Sequence, residues 1–393
     1  MIHREHSIQQ INPFYNSDLI KIITGIRRCG KSLVMDQIEN KLRLAGKKTL
    51  KLDFEIRSVS LSIASDIELI QYVEKHVGEE KLYVFLDEVQ NVQNWNLACK
   101  TLRIHNVSLF ITGSNSKLLS KEFTKELSGR YVSFCIRPFV YKEIKAYCLE
   151  LGRAYSISDY LIYGGFPKVL EFQEKEAVIR YLNDLDTTIV TNDIINRYQI
   201  RKTQLFKRLR DYCLVSNARF FSAASIQKYL VRQHESCSFN TIINYLSYLE
   251  EAYVIRQIPE YSLKAKRHLK YFAKLYDEDV AFNTIRQRSG RYDITHNLEN
   301  IVYNELIYMG YDVSVFRIDN QEIDFLAEEG MKKYLIQVAY CIVDENTYQR
   351  EFALFNKIDQ SYGKIIITND EIDYSTTTVK HIRLKEFLIM EKL

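Results

Sequence analysis

In the first third of the chain, apolar residues fall in short, β-branched or aromatic runs: Leu19 to Thr24, Thr49 to Phe54, Leu82 to Leu86, Val107 to Thr112 and Tyr131 to Ile136. Each is of strand length, and helical periodicity separates them. After the first run, Leu33, Val34, Ile38, Leu42 and Leu44 recur at helical spacing from Lys31. Alternating strands and helices predict a parallel sheet covered on both faces. From about 140 to 197 the pattern is helical, with Gly164 and Gly165 before Pro167 marking a turn. Between about 204 and 273, two helices (Ser225 to Leu230, Ser238 to Glu250) precede a hairpin that begins at Tyr253. After Thr295 comes a helix, Asn297 to Met309, then strands Val313 to Ile318, Glu322 to Ala327 and Tyr334 to Tyr340, then helix and strand.

The turn between the first strand and its helix reads Gly25-Ile-Arg-Arg-Cys-Gly30-Lys31-Ser32. Gly25 and Gly30 let the backbone wrap so that successive N–H groups face one concavity. The helix adds its positive dipole end, Lys31 reaches the β and γ phosphates, and Ser32 is placed to hold Mg²⁺. Arg28, Cys29 and Leu33 complete the segment around the nucleotide. The third run ends in Asp87-Glu88. There Asp87 would hold Mg²⁺ through water and Glu88 would polarise the attacking water. The fourth run ends in Thr112-Gly-Ser114-Asn115 at the carboxyl edge of the sheet, where ligands bind in such folds. Ser114 or Asn115 there either senses the γ-phosphate or caps the next helix.

At 393 residues the chain has room for two or three domains. A hydrophobic content of 46% beside 26% charged residues indicates a soluble globular protein. No stretch reaches the roughly 18 uncharged apolar residues of a membrane span, and residues 1 to 6 lack a secretory hydrophobic region, so a cytoplasmic location is expected. The seven cysteines form no Cys-x-x-Cys pair, which suggests neither disulfides nor zinc. Charge is uneven: residues 201 to 274 hold fourteen Lys or Arg and five Asp or Glu, a net of +9 in a chain of +4. That asymmetry points to a polyanion partner.

The order Gly25 to Ser32, Phe85-Leu-Asp-Glu-Val-Gln90, Thr112 to Asn115, Leu127-Ser-Gly-Arg130, Arg137-Pro-Phe139 and Tyr163-Gly-Gly-Phe-Pro167 resembles the prokaryotic AAA-type P-loop ATPases, in particular those with a C-terminal restriction-endonuclease-like domain of unassigned function. The resemblance implies Lys31 and Ser32 for phosphate and Mg²⁺, Asp87 and Glu88 for metal and water, and Asn115 or Ser114 as sensor. It also makes Arg130 a candidate arginine finger reaching a neighbouring subunit's nucleotide, with a surface ion pair as the alternative. The expected division is 1–139 as the P-loop nucleotide-binding domain, 140–200 as a helical lid, 201–274 as a winged-helix-like domain and 275–393 as a nuclease-like domain.

The helix-helix-hairpin order over 201–274 is winged-helix order, with Asn240, Asn244 and Ser247 on one face of the recognition helix and Lys264, Lys266, Arg267 and Lys270 flanking the wing. Such modules also serve as protein-binding spacers. The order after Thr295 resembles the PD-(D/E)xK nuclease core, keeping a helix acid (Glu299 or Glu305) and Asp324. Gln337 and Ala339 replace its acid and lysine, so this degenerate α/β domain is expected to be inactive. The function expected is Mg²⁺-dependent ATP binding and hydrolysis driving a switch in a C-terminal half that meets double-stranded DNA or a protein client, with a homo-oligomer in the ATP state. The alternatives are an ATP-binding scaffold with negligible turnover and an ATP-controlled nuclease.

Overall fold

The computed structural model describes residues 3–113, 127, 129–262, 267–287, 292–318, 321–342, 344, 348 and 351–393. The chain divides into two compact units, Met1–Pro138 with Glu251–Tyr253, and Phe139–Glu250 with Val254–Leu393.

In the first unit, β1 (Ile20–Thr24), β2 (Lys48–Asp53), β3 (Leu82–Asp87), β4 (Val107–Thr112) and β5 (Tyr131–Cys135) form one sheet. It is parallel throughout, in the order β2-β3-β4-β1-β5. The central strands β3, β4 and β1 are buried at every residue. Buried on both faces, they carry apolar runs rather than an alternating pattern. Ile20, Ile22, Val84, Leu86, Leu109 and Ile111 form a core with Leu69 and Val73 of the helix Asp66–Glu74 and Leu102 of the helix Trp95–Leu102. Burying each such side chain contributes about 2 kcal/mol. Because β4 lies between β1 and β3, the carboxyl ends of all three stand side by side, carrying Thr112, Gly25 and Asp87 to one edge.

The second unit holds β6 (Arg219–Phe221), β7 (Ile255–Ser262), β8 (Arg267–Asp277), β9 (Asp312–Ile318), β10 (Gln321–Glu329), β11 (Lys332–Ala339), β12 (Gly363–Thr368) and β13 (Lys380–Arg383). They make a single sheet in the order β13-β12-β11-β10-β9-β7-β8-β6. β7 and β8 form the expected hairpin, β6 pairs antiparallel with β8, and β7 pairs parallel with β9 through Glu260, Tyr261 and Ser262. The sheet therefore runs through the boundary placed at 274, which lies inside β8. Where one closing strand was expected there are two, β12 and β13, both parallel to their neighbours.

Helices Thr203–Val215, Ala223–Arg232 and Phe239–Glu251 precede the hairpin, and Ile294–Tyr308 packs on the sheet with Leu298, Ile301, Val302 and Leu306 buried. Residues 140–200 are helical as expected, with a π-helical stretch at Ile189–Ile195. Among the described residues no helix is long and apolar enough to cross a membrane.

Candidate nucleotide-binding site

The loop leaving β1 is pinned by the residue that leaves β5. Ile136 N donates to Thr24 O at 2.8 Å, and the Cys29 thiol donates to Ile136 O at 3.1 Å. Gly25 has φ +140°, and a Cβ there would meet Ile136 O at 2.0 Å. Only glycine fits this position, for backbone conformation and for space. Gly30, at φ +100°, is the N-cap of the helix Lys31–Leu44. Lys31 is buried, with Nζ donating to Gly25 O and Ile26 O at 3.1 Å each. The ammonium thus lies over the concavity of the loop. Arg28 (φ 66°) and Ser32 are exposed, whereas Cys29 is fully buried in the loop's footing and Leu33 is half-buried.

Asp87 ends β3 and is buried, accepting a hydrogen bond on Oδ1 from the Thr112 hydroxyl. The same Oγ1 accepts from Glu88 N at 3.1 Å, where Glu88 stands at φ 50° and ψ 45°. A left-handed non-glycine residue costs about 1 kcal/mol or more unless its surroundings hold it. Thr112 is that hold. Its role in this clamp is not apparent from the sequence, where it reads as the first residue of the polar tip Thr112 to Asn115 with no link to Asp87 or Glu88. Gln90 Nε2 donates to Glu88 Oε2.

The structure thus brings Gly25, Gly30, Lys31, Ser32, Asp87 and Glu88 to one edge. This is a donor set for polyphosphate, a helix N-terminus and an ammonium, beside hard oxygens for a divalent cation. Arg130 is elsewhere. It precedes β5, its carbonyl accepts from Ile20 N at 3.0 Å, and Ile20 pairs with Tyr131 at the amino edge of the sheet. A strand of five residues, about 16 Å, separates its backbone from the loop of its own subunit. Ser114, Asn115, Lys264 and Lys266, and the side chains of Arg267 and Lys270, lie outside the described residues.

In the second unit the two candidate helix acids part company. Glu305 accepts from Tyr141 N at 3.0 Å, and burial pushes it up to about 8. Glu299 instead approaches Asp324, and a lysine stands between them. Lys274 Nζ lies 2.6 Å from Glu299 Oε1, 2.6 Å from Glu322 Oε1 and 3.3 Å from Asp324 Oδ1. This corrects two sequence expectations. Lys274 belongs to the basic segment read as facing a polyanion yet is buried, and the carboxylates that were to lack a lysine have one, delivered by β8.

Burial pulls the Lys274 pKa down, but Glu299, Asp324 and Glu322 outweigh it, and the ammonium is held above its ordinary range. Burial and Asp324 push Glu299 up to about 8. Gln337 Oε1 accepts from Asp324 N at 3.4 Å, and Ala339 is buried. Among the described residues no group of three or more His, Cys, Asp or Glu has the arrangement of a metal site.

The family model described as an AAA domain matches residues 17–145, and that of a domain of unknown function matches residues 154–285. An uncharacterized protein of Haemophilus influenzae is 33% identical over 383 residues, 94% of this chain and 93% of its own. The uncharacterized protein MJ1544 of Methanocaldococcus jannaschii is 31% identical over 376 residues, 90% of this chain and 82% of its own. Among solved structures, the Walker-type ATPase paby2304 of Pyrococcus abyssi aligns over 73% of this chain and 96% of that one, with a TM-score of 0.51 at 16% identity. At that identity the likeness is one of fold. The chain belongs to the family of these Haemophilus and Methanocaldococcus proteins, its residues 17–145 match the AAA-domain model, and its N-terminal sheet has the parallel α/β fold of P-loop ATPases.

Proposed function

We propose that the first unit binds and hydrolyses ATP. The observation that carries this reading is the convergence of the Gly25–Ser32 loop with Asp87 and Glu88 at one sheet edge. Lys31 and the N–H groups of the helix start hold the phosphates, and Glu88 takes the proton of a water as its oxygen bonds to the γ-phosphorus and the bond to the β–γ bridging oxygen breaks. Ser32 and Asp87 would hold Mg²⁺, which when bound neutralises phosphate charge. Ser114 or Asn115 serves as sensor. Arg130, at the opposite edge from its own loop, acts on the nucleotide of a neighbouring copy, which makes the ATP state a homo-oligomer.

For the second unit we read residues 140–200 as the lid, 201–274 as a winged helix and 275–393 as a nuclease-like fold that binds without cutting. Support for the winged helix is the order of helix, strand, two helices and hairpin, with Arg201, Lys202, Lys228, Arg232, Asn240 and Asn244 exposed. The partner read from that charge is duplex DNA. Exposed Phe239 and Ile243 on the same helix favour a protein client as the second reading.

Turnover measured across protein concentrations tests the reading. Lys31→Ala should abolish tight ATP binding. Glu88→Gln should keep ATP binding and slow hydrolysis at least tenfold, about 1.4 kcal/mol on the barrier. Arg130→Ala should slow turnover while changing ATP affinity only a few-fold. Parental rates in Glu88→Gln would remove Glu88 from the mechanism, and a monomer whose specific activity ignores concentration would remove Arg130.

A further inference from the structure

The turn Val89–Asn91 follows Glu88 directly, and it is anchored on both sides of its middle residue. Val89 is fully buried in the core of the first unit, and Asn91 Nδ2 donates to Phe54 O at 3.2 Å. Between them Gln90 turns back and donates Nε2 to Glu88 Oε2. Its other end, Oε1, is buried and has no hydrogen-bond partner among the described residues. Flipping the amide would set that oxygen against the carboxylate, so the donor end belongs toward Glu88. Thr112 already fixes the Glu88 backbone. The Gln90 amide in turn holds one oxygen of its carboxylate.

We infer that Gln90 is a positioning residue for hydrolysis, its amide holding the Glu88 carboxylate in one orientation through a charge-assisted hydrogen bond. The inference rests on the reading of Glu88 as the base. A general base acts only within hydrogen-bond reach of the proton it takes, and displacement by about 1 Å costs on the order of a hundredfold. A neutral donor suits this role because it orients the carboxylate without neutralising it, whereas a lysine ammonium would form an ion pair and lower its basicity. Leucine keeps the volume of glutamine without the donor, and glutamate keeps the length but repels.

Steady-state ATP hydrolysis with separate measurement of ATP binding tests the inference. Gln90→Leu should lower kcat at least fivefold with KM and ATP affinity within twofold of the parent, and Gln90→Glu should be slower still. In a Glu88→Gln background, Gln90→Leu should add no further loss, because both changes remove one unit. Parental kcat in Gln90→Leu and Gln90→Glu, with Glu88→Gln slow, would overturn the inference and leave Glu88 as base. Parental kcat in Glu88→Gln would instead overturn the reading on which it rests. Loss of ATP affinity in step with kcat in both Gln90 variants would mean a structural role only, and would also overturn it.

Discussion

Lys21 sits in the middle of β1, where the strand pattern calls for isoleucine. It is fully buried, its Nζ donates to Ser108 Oγ at 2.8 Å, and it lies 4.8 Å from the Phe110 ring centre. Burial, assisted by Lys81 and opposed by Asp18, holds it down at about 7, against an ordinary value of 10.5. Between those values the unfolded chain binds more protons than the folded one, so this group's contribution to stability rises with pH from about 7 to 10, and its penalty is fully present below 7. Lys21→Met should therefore raise the melting temperature at pH 6 to 7. It should also flatten the rise between pH 7 and 9, read by thermal denaturation of both proteins in parallel. Identical slopes for parent and variant would show that Lys21 does not titrate there. Sequence could not flag this residue, since its burial follows from strand position rather than from its neighbours. The loop residues were legible for the opposite reason: Gly25, Gly30 and Lys31 do their work within eight consecutive positions, and Asp87 and Glu88 announce themselves as carboxylates after an apolar run.

Among the elements, the turn after the helix Ile157–Tyr163 shows what a glycine pair can be for. Gly165 N donates to Asp279 Oδ2 at 2.8 Å, and Phe139 N donates to Gly165 O at 2.8 Å. A Cβ on Gly165 would lie 2.0 Å from Phe139 O, and one on Gly164 would lie 1.6 Å from Asp279 Oδ1. The pair therefore lets the start of the second unit pack against a buried acid, one that burial pushes up to about 7. Gly165→Ala should cost about 2 kcal/mol or more in denaturant unfolding, because the clashing atom is backbone. Gly152→Ala, at φ +63° with open space around it, should cost only about 1 kcal/mol. Equal losses would mean that the turn relaxes freely. Sequence marked this turn but not its partner, for Asp279 lies more than a hundred residues away. A long separation also hid the parallel pairing of Glu260 with Val315, which fuses the hairpin to the later strands. The five strands of the first unit carried their own local patterns and needed no such knowledge.

For the molecule as a whole, the basic segment is less available than its sequence suggests. Lys274 is buried among carboxylates, Arg210 is paired with Asp186 and Asp211, and Arg208 with Glu235. Exposed Arg201, Lys202, Lys228 and Arg232 remain as candidates for a backbone of phosphates. Four such contacts predict that duplex DNA affinity falls roughly a hundredfold between about 50 and 200 mM salt. Changing these four to Glu should weaken it sharply while sparing ATP binding. Binding that ignores salt, or none at low salt, would shift the reading to a protein partner docking on Phe239 and Ile243.

Lys274 has a consequence for supply. A carboxylate cluster that depends on a dissolved cation is at the mercy of chelators and of metal scarcity, and it can be emptied and refilled. Here the counter-ion is tethered to the backbone of β8, at a fixed stoichiometry of one per chain from the moment the hairpin folds against its neighbours. A chelator cannot strip that positive charge away, since it leaves the cluster only when the strand itself lets go.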